Sequence, residues 1–174
     1  MPAEKPNEPM PDIFTVKVTQ VKDGDTIVAA GSQGNTITVR VWGIDAPESS
    51  QPYGPAAAQA ARALVGGEMA DVHVKDKGPY GRHIGRVLVP YKDGKADLAQ
   101  SLAVSGLAWH SRKYPTSDTL VQKEKEARAE QKGLWSQSDP TAPWTYRDRK
   151  GETGLLEAAY DGYRWTRWLW RLFS

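Results

Sequence analysis

Three short runs near the start of the chain predict strands, and apolar and polar residues alternate in the first and the third. In the run from Phe14 to Val21, Phe14, Val16 and Val18 alternate with Thr15, Lys17 and Thr19, the pattern of a half-buried strand. Asp23-Gly24 favours a tight turn before a second strand from Thr26 to Ala30, and the alternation returns from Thr36 to Trp42. Because the apolar residues of the third run share one face, Arg40 lies on the opposite face. The three runs therefore predict an antiparallel meander.

Helices and two more strands are expected after the meander. Proline is favoured in the first turn of a helix and glycine after its last turn, and serine is a common N-cap. These signals predict helices at 55–65, 96–104 and from Ser117 up to Gly133, with strands around 72–74 and at 82–89. Five short strands and three helices without repeated βαβ units predict an α+β, mainly β, chain: a five-stranded OB-fold barrel with three packed helices.

The length of the chain allows one well-filled core. At 174 residues and 39% hydrophobic, the sequence predicts one domain with appendages. We divide it into a flexible Pro-rich leader (1–12), a domain (13–147) and a tail rich in Trp and Arg (148–174). Four prolines interrupt the leader, which does not resemble a signal peptide. The expected location is cytoplasmic, or secreted or periplasmic if a signal peptide has been removed.

The charges and the missing thiols narrow the chemistry. Residues 1–146 carry 17 Lys and Arg against 17 Asp and Glu, whereas residues 147–174 carry six against four, so the formal charge of +2 lies in the tail. The body therefore has no global basic field, and an anionic polymer would have to be held by local cations and a metal. The absence of cysteine excludes disulfides, thiol catalysis and Cys-based zinc sites.

Two acidic segments carry the parts of a metal site. Asp25 follows the turn after the first strand, and Asp45 follows the third strand, so the meander would place the two carboxylates near each other. Such oxygen ligands suit calcium or magnesium, and no cluster of His or thiol ligands argues for zinc. Taken alone, the segment Asp23-Gly24-Asp25 is also the ordinary sequence of a hairpin turn.

Three further residues complete a set for phosphate chemistry. Glu48 could orient a water molecule for attack on phosphorus, and Arg40 and Arg82 could hold the phosphate and stabilise its growing negative charge. Singly, each could be an ordinary surface residue, but together they favour a site. No phosphate-binding P-loop and no nucleophilic serine elbow is present in the sequence.

Several motifs occur in one order over about residues 13–147. They are VKDGDT, RVWGIDAPE, YGPAA, KGPYGRHIGRV, LAQSLAVSGLAW and KEKEARAEQKGLW. In these segments the chain resembles the staphylococcal nuclease, or thermonuclease, family. Several spaced motifs in order are more specific than any one of them.

The resemblance implies a five-stranded OB-fold barrel with three helices. It also implies a calcium-dependent endonuclease that hydrolyses DNA and RNA with little sequence specificity and leaves 3′-phosphate ends. The residues it implies are Asp25, Asp45 and the carbonyl of Ala46 for calcium, Arg40, Glu48 and Arg82 for catalysis, and Tyr80 and Tyr114 for the substrate. Pro79 stands where a phosphate-contacting lysine can occur in the family, and Lys77 could substitute for that lysine.

The alternative interpretation is a catalytically silent OB-fold module that binds nucleic acid or peptide. An inert module has no chemical need for the complete set of two aspartates, one glutamate and two arginines, so the sequence favours the enzyme. Whether the enzyme cuts internally or from an end, and whether Glu48 is a true base or positions water, is open at this point. A monomer is expected.

The tail has the pattern of a basic amphipathic helix over residues 155–174. At roughly 100° per residue, three arginines form one stripe beside an apolar face of tryptophan and leucine. The stripe is Arg164, Arg167 and Arg171, and the face is Trp165, Trp168, Leu169 and Leu172. This face could dock on the barrel, bind an anionic membrane surface or a protein partner, or stack on single-stranded nucleic acid.

Removing residues 155–174 is expected to leave a folded domain that still cleaves short nucleic acids, because every predicted site residue lies at or before Tyr114. The deletion should instead alter binding to anionic vesicles or solubility. Circular dichroism, calcium-dependent cleavage of an oligonucleotide and vesicle sedimentation check this. Loss of the fold or of the cleavage would show that the tail belongs to the domain.

Overall fold

The computed structural model describes residues 13–31, 34–114, 117–149 and 151. The leader (1–12) and the predicted helix over 155–174 lie outside this part of the chain. The strands are β1 Ile13–Val21, β2 Thr26–Ala30, β3 Thr36–Val41, β4 Ile44–Asp45, β5 Met69–Lys77, β6 His83–Tyr91, β7 Gly94–Asp97 and β8 Trp109–His110. The helices are α1 Gly54–Val65, α2 Leu98–Val104, α3 Asp118–Ala129 and α4 Pro143–Arg149.

Five of the strands form a closed barrel. The sheet order is β3-β2-β1-β5-β6-β7, and a further parallel pairing of β3 with β6 joins its ends. This pairing sets Arg40 opposite Ile84 and Val41 opposite Gly85. Strand β7 continues the sheet from the edge of β6. The predicted five-stranded OB-fold barrel, of α+β class, is confirmed.

The apolar faces predicted from the alternation fill the barrel. Val39 and Val41 of β3 are completely buried, and Ile84 of β6 is buried as predicted. Helix α1 adds Ala57, Ala61 and Val65 to the same core, and α2 adds Leu98 and Leu102. Each large buried aliphatic side chain contributes about 1.5–3 kcal/mol relative to an exposed one. The core therefore fixes the barrel and leaves the polar ends of its strands for the site.

Four features differ from the sequence predictions. A fourth helix, α4, joins the three predicted ones, and β4 pairs with β8 in a separate two-stranded sheet. Strand β7 occupies the predicted turn and helix start, and α2 begins at Leu98 because the Asp97 side chain accepts a hydrogen bond from Gln100 N–H (3.1 Å). Helix α4 has only seven residues, which is too short to show a helical period in the sequence, and a helix of this length is stable only with tertiary contacts.

Within the described residues, no helix is long and apolar enough to cross a membrane.

Gly106 allows α2 to meet the segment that follows α3. Gly106 ends the α2 region with a left-handed backbone (φ +66), and its carbonyl accepts a hydrogen bond from Leu134 N–H at 2.9 Å. A Cβ atom on Gly106 would lie 2.2 Å from the carbonyl oxygen of Lys132. The close approach therefore requires glycine for its conformation and for its size.

Gly106→Ala is expected to lower the free energy of unfolding by at least about 1–3 kcal/mol, the cost of a left-handed non-glycine residue, with the clash in addition. Gly94→Ala is the control, because a Cβ there meets nothing within 4 Å and φ is not positive. Its effect should stay within about 0.5 kcal/mol. Urea denaturation of both variants measures the difference, and equal stabilities would contradict the packing argument.

Candidate active site

The barrel rim brings together residues from the ends of three strands. Asp25 immediately precedes β2, whose Thr26 is the register partner of Arg40 in β3. The backbone N–H of Val41 donates to the carbonyl of Asp25 at 2.8 Å, which continues the ladder past the strand end. Gly43, with φ +85, then turns the chain so that Asp45 follows in β4. Sheet pairing thus places both aspartates beside Arg40.

One guanidinium connects the two aspartates. Arg40 Nη1 lies 2.9 Å from Asp25 Oδ2, and Arg40 Nη2 lies 3.0 Å from Asp45 Oδ1. The same Nη1 donates to the backbone carbonyls of Val41 (3.2 Å) and Ile44 (3.1 Å). Both carboxylates are buried, with Asp25 6% and Asp45 7% exposed. The two acids therefore converge on a common point and lie largely out of water.

The environment of Asp25 disfavours its charge. Burial raises the pKa of Asp25 well above its usual value; Arg40 opposes the shift, and the charges of Asp23 and Asp45 add to it. A hydrogen bond from Ala46 N–H to Asp25 Oδ2 (2.6 Å) compensates only in part. Because the pKa of Asp25 is raised in the folded state, this carboxyl contributes fully to the free energy of unfolding at pH values below its unfolded-state pKa. The contribution is lost as the pH rises through its folded-state pKa. Charged Asp25 is thus a cost that a bound cation would relieve.

Arg147 of α4 reaches the same carboxylates from the C-terminal side. Its Nη2 lies 2.8 Å from Asp45 Oδ2, and its Nη1 lies 3.1 Å from Asp45 Oδ1 and 2.7 Å from Glu48 Oε1. Burial by itself would lower the pKa of Arg147, but the hydrogen bonds and charges of Asp45 and then Glu48 outweigh it and raise the pKa further. Two arginines therefore share the charge of Asp45.

Glu48 lies on a loop that is fixed by a buried glutamine. The side-chain oxygen of Gln51 accepts a hydrogen bond from Glu48 N–H (2.8 Å), and its Nε2 donates to the carbonyl of Thr141 (3.1 Å). The Glu48 side chain is 33% exposed, so one of its sides faces solvent. Of the three acids at the rim, Glu48 is the most accessible to water.

Arg82 and two tyrosines lie at the neighbouring part of the rim. Arg82 follows a tight turn at Pro79–Gly81 and precedes β6, the parallel partner of β3. Its Nε is buried and has no hydrogen-bond acceptor among the described residues. Burial raises the pKa of Tyr114, and the charges of Arg40 and Arg82 oppose this shift, so the phenol lies near both arginines. On the turn itself, Tyr80 is 90% exposed.

Lys77 is an exposed residue at the end of β5. It pairs with His83 in the sheet register and contributes to lowering the pKa of that histidine, after burial, which has the larger effect. It thus lies at the base of the turn that carries Tyr80 and Arg82. All nine residues singled out in the sequence fall within the described part of the chain, on the rim, the loop after β4 and the turn between β5 and β6.

The donor set at the rim fits a hard cation. Within the described ranges, no group of three or more His, Cys, Asp or Glu side chains is arranged to hold a metal. The protein side chains are instead the pair Asp25 and Asp45, which converge on the Arg40 guanidinium, and burial disfavours the charge of Asp25, as its raised pKa indicates. Carboxylate oxygens suit calcium and magnesium, which complete their coordination with carbonyls and water. The residues therefore fit such an ion.

Arg147 is a residue of the site that no pattern in the sequence indicated. Its partners Asp45 and Glu48 lie 102 and 99 positions earlier in the chain. No local spacing connects residues that are so far apart, and α4 is too short to show a helical period. Only docking of α4 brings this guanidinium to the rim.

A closed β-barrel with paired aspartates, a glutamate and arginines at its rim defines a phosphodiester hydrolase of the OB-fold class. The profile of the family described as staphylococcal nuclease homologue matches residues 38–137, which is more than half of the chain. The chain belongs to this family and is a nuclease. The family is in general metal-dependent.

Individual relatives agree with this assignment. The chain is 37% identical over 134 residues to a protein of Escherichia coli O157:H7 named an uncharacterized endonuclease, covering 77% of this chain and 85% of the relative. It is 38% identical over 141 residues to a micrococcal nuclease of Shigella flexneri, covering 77% and 80%. A staphylococcal-like nuclease of Arabidopsis thaliana is 38% identical over 112 residues, or 64% of this chain and 33% of the plant protein.

Proposed function

We propose that this nuclease is a calcium-dependent endonuclease that hydrolyses DNA and RNA with little sequence specificity and leaves 3′-phosphate ends. The observation that carries the proposal is the convergence of Asp25 and Asp45 on Arg40, with both carboxylates buried. A site of flexible carboxylate and carbonyl oxygens favours the larger calcium ion over magnesium, which demands a stricter octahedron. The nuclease relatives supply the expectation of internal cleavage.

Asp25, Asp45 and the carbonyl of Ala46 would hold the ion. Bound there, calcium supplies positive charge that stabilises the negative charge developing on the phosphate. Arg82 has a buried Nε donor that lacks an acceptor among the described residues, as a group that receives an anion would. Arg40 is a second donor at the rim, and both arginines would hold the scissile phosphate.

Glu48 is the acid with access to water, and its proposed role is to orient the attacking molecule and accept or direct its proton. The water oxygen forms the new bond to phosphorus as the bond to the 5′ oxygen breaks, and the leaving 5′ oxygen takes up a proton from solvent water. The phosphate stays on the 3′ side. Tyr80 and Tyr114 flank Arg82 and would contact the nucleotide, with Lys77 at the edge of the same turn.

The low sequence specificity of the proposed enzyme agrees with the chemistry of these contacts. Arginines that hold phosphate oxygens read the backbone, which is common to all sequences. An exposed tyrosine can stack on any base, because every base has a π-face. The described residues at the rim therefore favour backbone binding over recognition of base edges.

Circular single-stranded DNA is expected to be cut in calcium and to remain intact with a chelator, since only internal cleavage opens a circle. Magnesium should support much less cutting, for the geometric reason given above. Gel electrophoresis of the circle, together with a circular RNA of equal length, measures both rates. Treatment of the products with a 3′-phosphatase tests the predicted end.

Equal rates in magnesium and calcium, or cutting that survives the chelator, would refute the assignment of Asp25 and Asp45 as calcium ligands. An intact circle beside degraded linear DNA would instead show that the enzyme works from an end. These outcomes are separate, so metal and mode are tested independently.

Glu48→Gln is expected to lower kcat at least about a hundredfold, because the amide keeps the shape of the side chain but cannot take up a proton. Glu68→Gln is the matched control, since Glu68 is an exposed residue before β5 and undergoes the same change of charge. Initial rates at saturating calcium and substrate measure the loss. A near-wild-type rate of folded Glu48→Gln, checked by circular dichroism, would show that Glu48 is not the base.

A further inference from the structure

A segment beyond the family match is fastened to the active-site loop. The match ends at residue 137, and the chain continues through α4. Two hydrogen bonds connect residues beyond 137 with the loop after β4: Gln51 Nε2 donates to the Thr141 carbonyl (3.1 Å), and Ser50 Oγ lies 2.7 Å from Tyr146 Oη. A third, between Tyr53 Oη and Ser136 Oγ (2.8 Å), joins the end of the matched region to the same loop.

An aromatic contact fixes the other side of α4. Trp144 packs edge-on against Trp109, with ring centroids 5.4 Å apart, and the Arg112 guanidinium lies 4.4 Å from the Trp144 ring. Trp109 is the register partner of Asp45 in the β4–β8 pair. The helix is thus anchored on the strand behind Asp45, and its position relative to the carboxylate is determined by the packing.

This anchoring delivers Arg147 to the oxygens that a metal would use. Arg147 contacts both oxygens of Asp45, at 3.1 and 2.8 Å, and one oxygen of Glu48 at 2.7 Å. Its side chain is only 22% exposed and that of Asp45 only 9%, so solvent weakens these contacts less than at the surface. A guanidinium and a divalent cation cannot both approach the same carboxylate oxygens without repulsion.

We propose that Arg147 is a positioning residue that holds Asp45 and Glu48 in place and competes with the catalytic cation for them. Filling the site then requires this guanidinium, like that of Arg40, to move off Asp45, and the departure of Arg147 also frees the Glu48 oxygen that it contacts. The contact from α4 therefore raises the cation concentration at which the enzyme becomes active. The inference rests on the proposed calcium site.

Calorimetric titration of calcium into the metal-free full chain, without nucleic acid, tests the competition. Arg147→Gln should bind calcium roughly tenfold more tightly than the wild type, the scale expected for losing one charge-assisted contact. Arg147→Lys keeps the charge but cannot span both oxygens of Asp45, so its affinity should lie between the two. Arg149→Gln is the control, because Arg149 is exposed on the same helix and the substitution removes the same charge. The calcium affinity of this variant should stay within about twofold of the wild type, since an exposed charge is strongly screened.

A second measurement follows Arg147 itself in the unaltered chain. The bidentate contact of Arg147 with Asp45 hinders rotation of the Arg147 guanidinium. Nitrogen NMR of arginine side chains detects this hindered rotation. Saturating calcium should release this rotation, and the signal is assigned by its absence from the Arg147→Lys spectrum. A merely structural arginine would not respond to calcium.

Each outcome bears on one claim. If the wild type binds calcium and Arg147→Gln binds it equally well, the competition is refuted while the calcium site stands. If Arg149→Gln gains as much affinity as Arg147→Gln, general charge and not the contact with Asp45 is responsible, and the proposal is again overturned. An Arg147 signal that does not change at saturating calcium would also refute the competition. If no chain binds calcium, the calcium assignment and the competition fail together.

Discussion

Arg40 joins Asp25 to Asp45 across the barrel rim, and the position of all three follows from closure of the sheet. Pairing of β2 with β3 sets Arg40 beside Thr26, the residue after Asp25, and pairing of β3 with β6 brings Arg82, which precedes β6, to the same rim. The completely buried valines of β3 hold the strand from the other face. The chemistry at the rim thus depends on apolar packing inside the barrel.

The rim is a place where the fold accepts an electrostatic cost. Two buried carboxylates converge on one guanidinium, and the pKa of Asp25 is raised chiefly because it is buried. Buried charges add little net stability even when paired, so such an arrangement is more informative about function than about folding. A divalent cation bound between the two carboxylates, as proposed above, would relieve this cost.

The C-terminal segment changes how the site is understood. Without α4, the rim would consist of acids and the arginines of the barrel alone. With α4 docked, the acids carry a second guanidinium, placed through Trp144, Tyr146 and Gln51. A short helix anchored by side chains can control access to a site whose residues all come from elsewhere. The barrel and the segment after residue 137 thus contribute different properties to one centre.

The sequence by itself determined the barrel class, since alternation of apolar residues depends only on which face of a strand is buried. It located β1, β2 and β3 and the main helices to within a few residues, and its motifs named the rim residues and the family. It could not determine α4, because a seven-residue helix is stable only through contacts such as that of Trp144 with Trp109. Nor could it reveal the pairing of Arg147 with Asp45, which lie 102 positions apart. Only the tertiary structure brings such distant charges together, because their distance depends on how the whole chain packs.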